Sequence, residues 1–235
     1  VKFQAAFFER LHMAGTLAMF ALAELARDRG LITIADIKRS DIGSTARAYA
    51  EAFLSCPAAQ RAFDAITVNP YFGTDGIAPF IEAAAQGQQG IFVVVHSSNP
   101  SASELQDLKL ADGRCVYEAV AALVAGWGEA LIGQSGYSSV GAVVGATYPD
   151  QLRKLRILMP RQPFLVPGYG AQGAGPEDVV FAFDSRGLGA IVNASRSIIF
   201  AYQRDPYSQK FGPDTVSYTH LRAHETSLHL VCRLL

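Results

Sequence analysis

The sequence predicts an α/β protein built on a parallel sheet, and three features carry that reading. Short apolar runs alternate with longer amphipathic stretches along most of the 235 residues, the pattern of repeated β–α units. Parallel strands need crossover connections, and the stretches between the runs are long enough to be helices. Several runs end in a polar residue that leads into a glycine- or proline-containing loop: Asp36, Asn69, His96 before Ser97, and Asn193. In a closed (β/α)₈ barrel those C-terminal strand ends form the functional face.

The elements follow in order. Residues 1–4 read as the stump of a strand and 7–29 as one amphipathic helix. Further strands are expected over 31–36, 65–69, 90–96, 140–146, 163–167 and 189–193, with helices over 44–54, 75–86, 115–130, 149–155 and 176–184. An eight-stranded barrel of roughly 250 residues needs one more strand and helix in front, so on the count alone a doubly wound sheet remains open. From about Thr215 the composition changes sharply. The stretch 215–235 holds three of the five histidines and reads as an adapter- or vector-derived tail. His220, His224 and Glu225 have a spacing that puts two imidazoles on one helix face, but a motif without structural context is not a metal site, and none is read there.

Composition bounds the function. With 50% hydrophobic residues the chain can bury a substantial core, as one barrel or as one to two smaller domains. A formal net charge of −1 gives no electrostatic footprint for nucleic acid or an anionic membrane, so an anionic ligand must be held by a few placed donors. Cys56, Cys115 and Cys232 show neither a zinc spacing nor a disulfide framework, which points to a reducing, cytoplasmic setting. The longest apolar runs, such as 91–95, are too short to span a bilayer.

The chemistry concentrates in Ile34-Ala-Asp-Ile-Lys-Arg-Ser-Asp-Ile-Gly-Ser-Thr45. Asp36 and Lys38 stand two apart at a strand end, so both side chains leave on the same side of the pleat, with Ile32 and Ile34 continuing that face inward. Asp41 follows where the backbone turns toward a helix that Ser44 can cap. Charges held this close perturb one another's proton affinities and leave a lysine charged and poised as an acid. A solvated ion pair at a loop is the plain alternative.

The whole string, Asp-x-Lys-x-x-Asp-Ile-Gly-Ser-Thr, resembles the signature of the orotidine 5′-phosphate decarboxylase family, particularly its longer bacterial subgroup. The resemblance runs in register to about Asp214. It implies a (β/α)₈ TIM barrel over 1–214, expected to lack the first strand and helix and the native last helix. It also implies a charge array of Lys2, Asp36, Lys38 and Asp41, with Asp41, Ile42 and Thr45 reaching the neighbouring site of a homodimer. Ser98, in Val95-His-Ser-Ser-Asn-Pro100, matches the serine that contacts the pyrimidine; a hydroxyl both donates and accepts, as a ring amide edge requires. Val166-Pro-Gly-Tyr-Gly-Ala-Gln-Gly173 matches the phosphate-gripping loop, with Pro167, Gly168, Gly170 and Gln172 as its contacts and glycines that let backbone approach an anion. Arg196 matches the phosphate-binding arginine, whose fork suits phosphate; Ser195 beside it stands where many relatives carry glycine.

The resemblance implies decarboxylation of orotidine 5′-monophosphate to uridine 5′-monophosphate (UMP) and carbon dioxide in de novo pyrimidine biosynthesis, with Lys38 as proton donor and no metal or organic cofactor. Two rivals stand beside it. One is a magnesium-dependent sugar-phosphate decarboxylase of the same superfamily, whose members carry an acidic residue where this chain has Lys2 and lack Gly168-Tyr-Gly-Ala-Gln172. The other is an inert remnant that binds UMP weakly. The runs 92–95, 143–144 and 181–183, with Trp127, are read as core rather than as a cofactor pocket.

Overall fold

A computed structural model describes residues 1–54, 63–170, 173–203, 205, 208 and 209. Cys56, Gln172, Cys232 and the 215–235 stretch with its histidines lie outside these residues.

One parallel sheet holds β1 (Lys2–Gln4), β2 (Ile34–Arg39), β3 (Ala65–Val68), β4 (Gly90–His96), β5 (Val140–Val144), β6 (Phe164–Val166) and β7 (Ala190–Val192), side by side in chain order. The order never reverses, which excludes the doubly wound alternative, where it switches direction midway. The helices are α1 (Ala5–Glu9), α2 (His12–Asp28), α3 (Gly43–Phe53), α4 (Gly73–Gly87), α5 (Val116–Gly128), α6 (Pro149–Leu158), α7 (Pro176–Val179) and α8 (Arg196–Ile199). The period of two along each strand sorts the apolar side chains. Ile34, Ala65, Phe92, Val143 and Leu165 form an inner cluster, while Ala35, Ile66, Val93, Ala142 and Phe164 belong to the larger core under the helices. An apolar interior inside a curled parallel sheet, with helices outside, is the barrel-like arrangement expected. No helix among the described residues is long and apolar enough to cross a membrane.

Three sequence expectations need correction. The helix over 7–29 is two helices, broken at Arg10 and Leu11, and His12 opens the second with φ of 55°. A straight helix of that length would run about 35 Å, well past the short strands it must cover; the break lets α2 pack back on α1. β2 begins later and ends later than 31–36, because Thr33 is anchored to Asp64 (main-chain N–H to Oδ2, 2.8 Å) ahead of the strand, which leaves Leu31 and Ile32 exposed. Ile32 still lies toward the interior, lining a cavity with Pro163, Ala190 and Ile191, but outside the strand. The helix over 176–184 stops at Val179 and tightens into a 3₁₀ turn over Val180–Ala182.

Arg156 fastens the later repeats. Its guanidinium donates to the carbonyls of Ala182 (2.8 Å), Met159 (2.9 Å), Gln162 (3.0 Å) and Gly189 (2.8 Å), and lies 3.6 Å from the centre of the Phe164 ring. Burial pushes its pKa down to about 10. Arg156→Met keeps the apolar stem but takes one donor from each of four carbonyls, that of Gly189 keeping the N–H of Phe164, so a loss of about 2–4 kcal/mol is expected from urea unfolding. A midpoint unchanged from the parent would show that the four bonds contribute nothing net.

Candidate active site

The inward face of β2 changes from apolar to ionic within three residues, Ile34 to Asp36. Register then decides what meets the carboxylate. β1 sets Lys2 beside Ile34 and Gln4 beside Asp36. On the other flank Ile34 pairs with Ala65 and Ala35 with Ile66, which brings Thr67 level with Asp36. Lys2 Nζ donates to Asp36 Oδ2 at 2.7 Å, Thr67 Oγ1 donates to Oδ1 at 2.9 Å, and Lys38 Nζ also donates to Oδ1. The Asp36 side chain is 7% exposed and that of Lys38 44%, so the carboxylate lies within the mouth and the ammonium at its rim. Burial raises the proton affinity of Asp36, but the charge and hydrogen bond of Lys2 and those of Lys38 together outweigh it, and the carboxyl is held below its ordinary range.

Lys38 sits in the left-handed backbone region, with φ of 44°, where side chains are rarely found. The β2–β3 register shifts between Ala35 and Arg39, and the main-chain N–H of Lys38 leaves the ladder to donate to Thr67 Oγ1 at 3.0 Å. This bulge turns Lys38 back over Asp36.

Asp41 is not brought into this cluster. Its Oδ1 accepts from the N–H of Ile42 (2.8 Å), and it makes no ion pair among the described residues. Ile42 and Thr45 beside it are exposed. Ser44 does not cap α3, whose N-cap is Ile42: the backbone is extended at Ile42 and already turns at Gly43.

Across the mouth, a cavity of about 470 Å³ is lined by Lys2 and Gln4 on one side and by Pro167, Gly168, Asn193 and Arg196 on the other. Gly168 and Gly170 have φ of 103° and 73°, conformations open to glycine, and the N–H of Gly170 closes the loop on the carbonyl of Ala174 at 2.9 Å. Arg196 opens α8 and is exposed, and its guanidinium makes no hydrogen bond or ion pair among the described residues. Ser98 follows β4 on the same face. Gly145 lets it sit close against the end of β5, since a Cβ there would lie 2.7 Å from the Ser98 backbone, and Thr147 Oγ1 donates to the Ser98 carbonyl at 3.0 Å.

Sequence reasoning missed Thr67, Gly145 and the wedging role of Gln106, whose side chain holds both the N–H and the hydroxyl of Ser97 at 2.8 Å. It noted Asn193 only as a strand end; the Asn193 Oδ1 is buried at the cavity and has no donor among the described residues.

Residues 1–209 match the family described as orotidine 5′-phosphate decarboxylase / HUMPS. A Rhodopirellula baltica protein named orotidine 5′-phosphate decarboxylase is 49% identical over 211 residues, covering 88% of this chain and 70% of the relative. A Caldicellulosiruptor bescii protein of the same name is 45% identical over 214 residues, with 88% and 70% covered. Among solved structures, the OMP decarboxylase of Leishmania donovani superposes with a TM-score of 0.73 at 32% identity, covering 97% of this chain and 80% of that one.

The geometry around Asp36 sets a pH dependence. Folding favours its ionised form, so the cluster's contribution to stability is complete above the ordinary value of 3.8 and is lost as pH falls through the lower folded value. Lys2→Met removes the largest favourable partner while burial remains, so Asp36 should titrate at higher pH than in the parent. Carbon-13 NMR of the aspartate carboxyls reads this directly; an Asp36 titration unmoved by the substitution would show that Lys2 does not govern it.

Proposed function

This chain belongs to the orotidine 5′-phosphate decarboxylase / HUMPS family, and on that footing we propose that it converts orotidine 5′-monophosphate to UMP and carbon dioxide with Lys38 as the acid. The observation that carries the reading is the carboxylate of Asp36 held between the ammoniums of Lys2 and Lys38, with Lys2 lining the cavity that also carries Arg196. Asp36 lies against the substrate carboxylate, and the repulsion between them is relieved as carbon dioxide leaves. The bond from the ring carbon to the carboxylate breaks, its electron pair stays on the ring carbon, and Lys38 Nζ stabilises that charge and delivers a proton to it. Lys2 keeps Asp36 ionised and in place. Arg196, Gln172 and the loop of Pro167, Gly168 and Gly170 bind the phosphate, and Ser98 meets the pyrimidine edge. Binding energy from the phosphate, remote from the bond that breaks, supports the chemical step.

The active unit is a cytoplasmic homodimer in which Asp41, with Ile42 and Thr45, completes the partner's site. In support, Asp41 stands outside the Lys2–Asp36–Lys38 cluster of its own chain, and Ile42 beside it exposes an apolar side chain. The magnesium-dependent sugar-phosphate reading needs an acidic residue at position 2; here Lys2 donates to Asp36 instead.

Two experiments follow. Lys38→Ala and Asp41→Asn should each lower turnover at least about a thousandfold with the fold retained, since neither side chain is in the core. Mixed and reassembled, the two variants should regain activity, because some heterodimers hold one intact site; subunit exchange with no recovery would place Asp41 in its own subunit's chemistry or outside it. Arg196→Ala should lower kcat/KM for the nucleotide by about a hundredfold, the loss of a charged bidentate contact, and barely affect a substrate lacking the phosphate. Equal losses with both substrates would make Arg196 structural.

A further inference from the structure

We propose that Thr67 is a positioning residue of this site: its hydroxyl, seated between the main-chain N–H of Lys38 and the carboxylate of Asp36, fixes both catalytic groups at once. This rests on the proposed decarboxylase reading for its kinetics but not for its geometry. The Thr67 side chain is fully buried, so no water competes for it. Its one proton goes to Asp36 Oδ1 at 2.9 Å, and its oxygen takes the N–H of Lys38 at 3.0 Å. Lys38 is thereby held at both ends, its backbone by Thr67 and its ammonium by the carboxylate that Thr67 also holds. The loop of contacts runs from Lys38 N–H to Thr67, to Asp36 Oδ1, to Lys38 Nζ, and closes within one residue.

The backbone explains why such an anchor is needed. At φ of 44° Lys38 is in a conformation that persists only where its surroundings over-determine it. The register shift in β2 removes the Lys38 N–H from the regular ladder, and the Thr67 hydroxyl is the acceptor that replaces it. Nothing else about Thr67 requires a hydroxyl: a β-branched residue suits a buried strand, and valine would fill the same space.

The test compares Thr67→Val with Thr67→Ser in the full chain. Valine keeps shape and removes both bonds, and serine restores them. In Thr67→Val, kcat is expected to fall by about thirtyfold or more with KM for orotidine 5′-monophosphate changed less than about threefold, since positioning is expressed in the chemical step. Thr67→Ser should stay within about fivefold of the parent. Amide hydrogen exchange supplies a readout independent of turnover: the Lys38 N–H should exchange at least about tenfold faster in the valine variant and at the parental rate in the serine variant. If the valine variant does not fold, Thr67→Ala replaces it with the same expectations. A valine or alanine variant with parental kcat, or a serine variant as slow as valine, overturns the proposal. Should the parent itself lack decarboxylase activity, the functional reading fails while the exchange rates still decide whether Thr67 holds Lys38.

Discussion

A carboxylate taken out of water is costly unless opposite charge and hydrogen bonds meet it, and the burial of Asp36 is the constraint on which this site is organised. Three donors meet it from three directions: Lys2 from β1, Thr67 from β3, and Lys38 from two residues further along its own strand. Each imposes a condition on the fold. β1 must pair with β2 so that Lys2 starts one inward position below Asp36. β3 must pair so that Thr67 is level with it. β2 must then bulge so that Lys38 turns back, against the ordinary preference of its backbone. Failure of any one leaves a buried charge short of a partner. The ion cluster therefore tests the register of three strands together.

Parallel topology delivers the rest of the site to the same place. All seven strands point their C-terminal ends to one face, so groups distant in sequence arrive as neighbours around one mouth. The charged centre comes from β1 to β3, while the glycine loop and Arg196 follow β6 and β7 and face Lys2 and Gln4 across the cavity. The two halves differ physically. The charged half has ionic partners set by strand register. The half proposed to take the anion is a loop whose glycines adopt conformations that other residues avoid, together with one exposed guanidinium at the start of α8.

What could be read from the sequence tracks how local each cause is. Asp36 and Lys38 declared themselves as opposite charges two apart at a strand end, although the bulge at Lys38, not regular alternation, is what turns the ammonium back over the carboxylate. Arg196 and the glycine loop were legible only as motifs, since nothing local distinguishes a ligand-binding glycine from a turn. Lys2 was legible only through family resemblance: one lysine on a short opening strand carries no pattern, and its meaning comes from pairing with β2. Thr67 was invisible for the opposite reason. A threonine in a buried strand is what β propensity leads one to expect, so its hydroxyl drew no notice until the register set it beside Asp36. Ser44 misled because the capping preference was extended past the point where the backbone changes state, at Ile42.

The formal net charge of −1 over the whole chain conceals how uneven the mouth is. Lys2 and Arg196 line the cavity, Lys38 stands at its rim, and among the described residues of this chain the carboxylate in contact with these cations is Asp36, which is shared between two of them. The excess is positive and confined to a small region. At ordinary ionic strength its reach into solvent is on the order of 10 Å, so a near-neutral protein of this kind draws a phosphate-bearing ligand by contact more than by long-range steering. The same confinement suits the reaction proposed. On the proposed reading, a substrate carboxylate brought against Asp36 meets a negative group, while a phosphate at Arg196 and the glycine loop would lie on the positive side. Attraction at one end of the ligand and repulsion at the other then act on the same molecule, and only loss of carbon dioxide relieves the second without weakening the first.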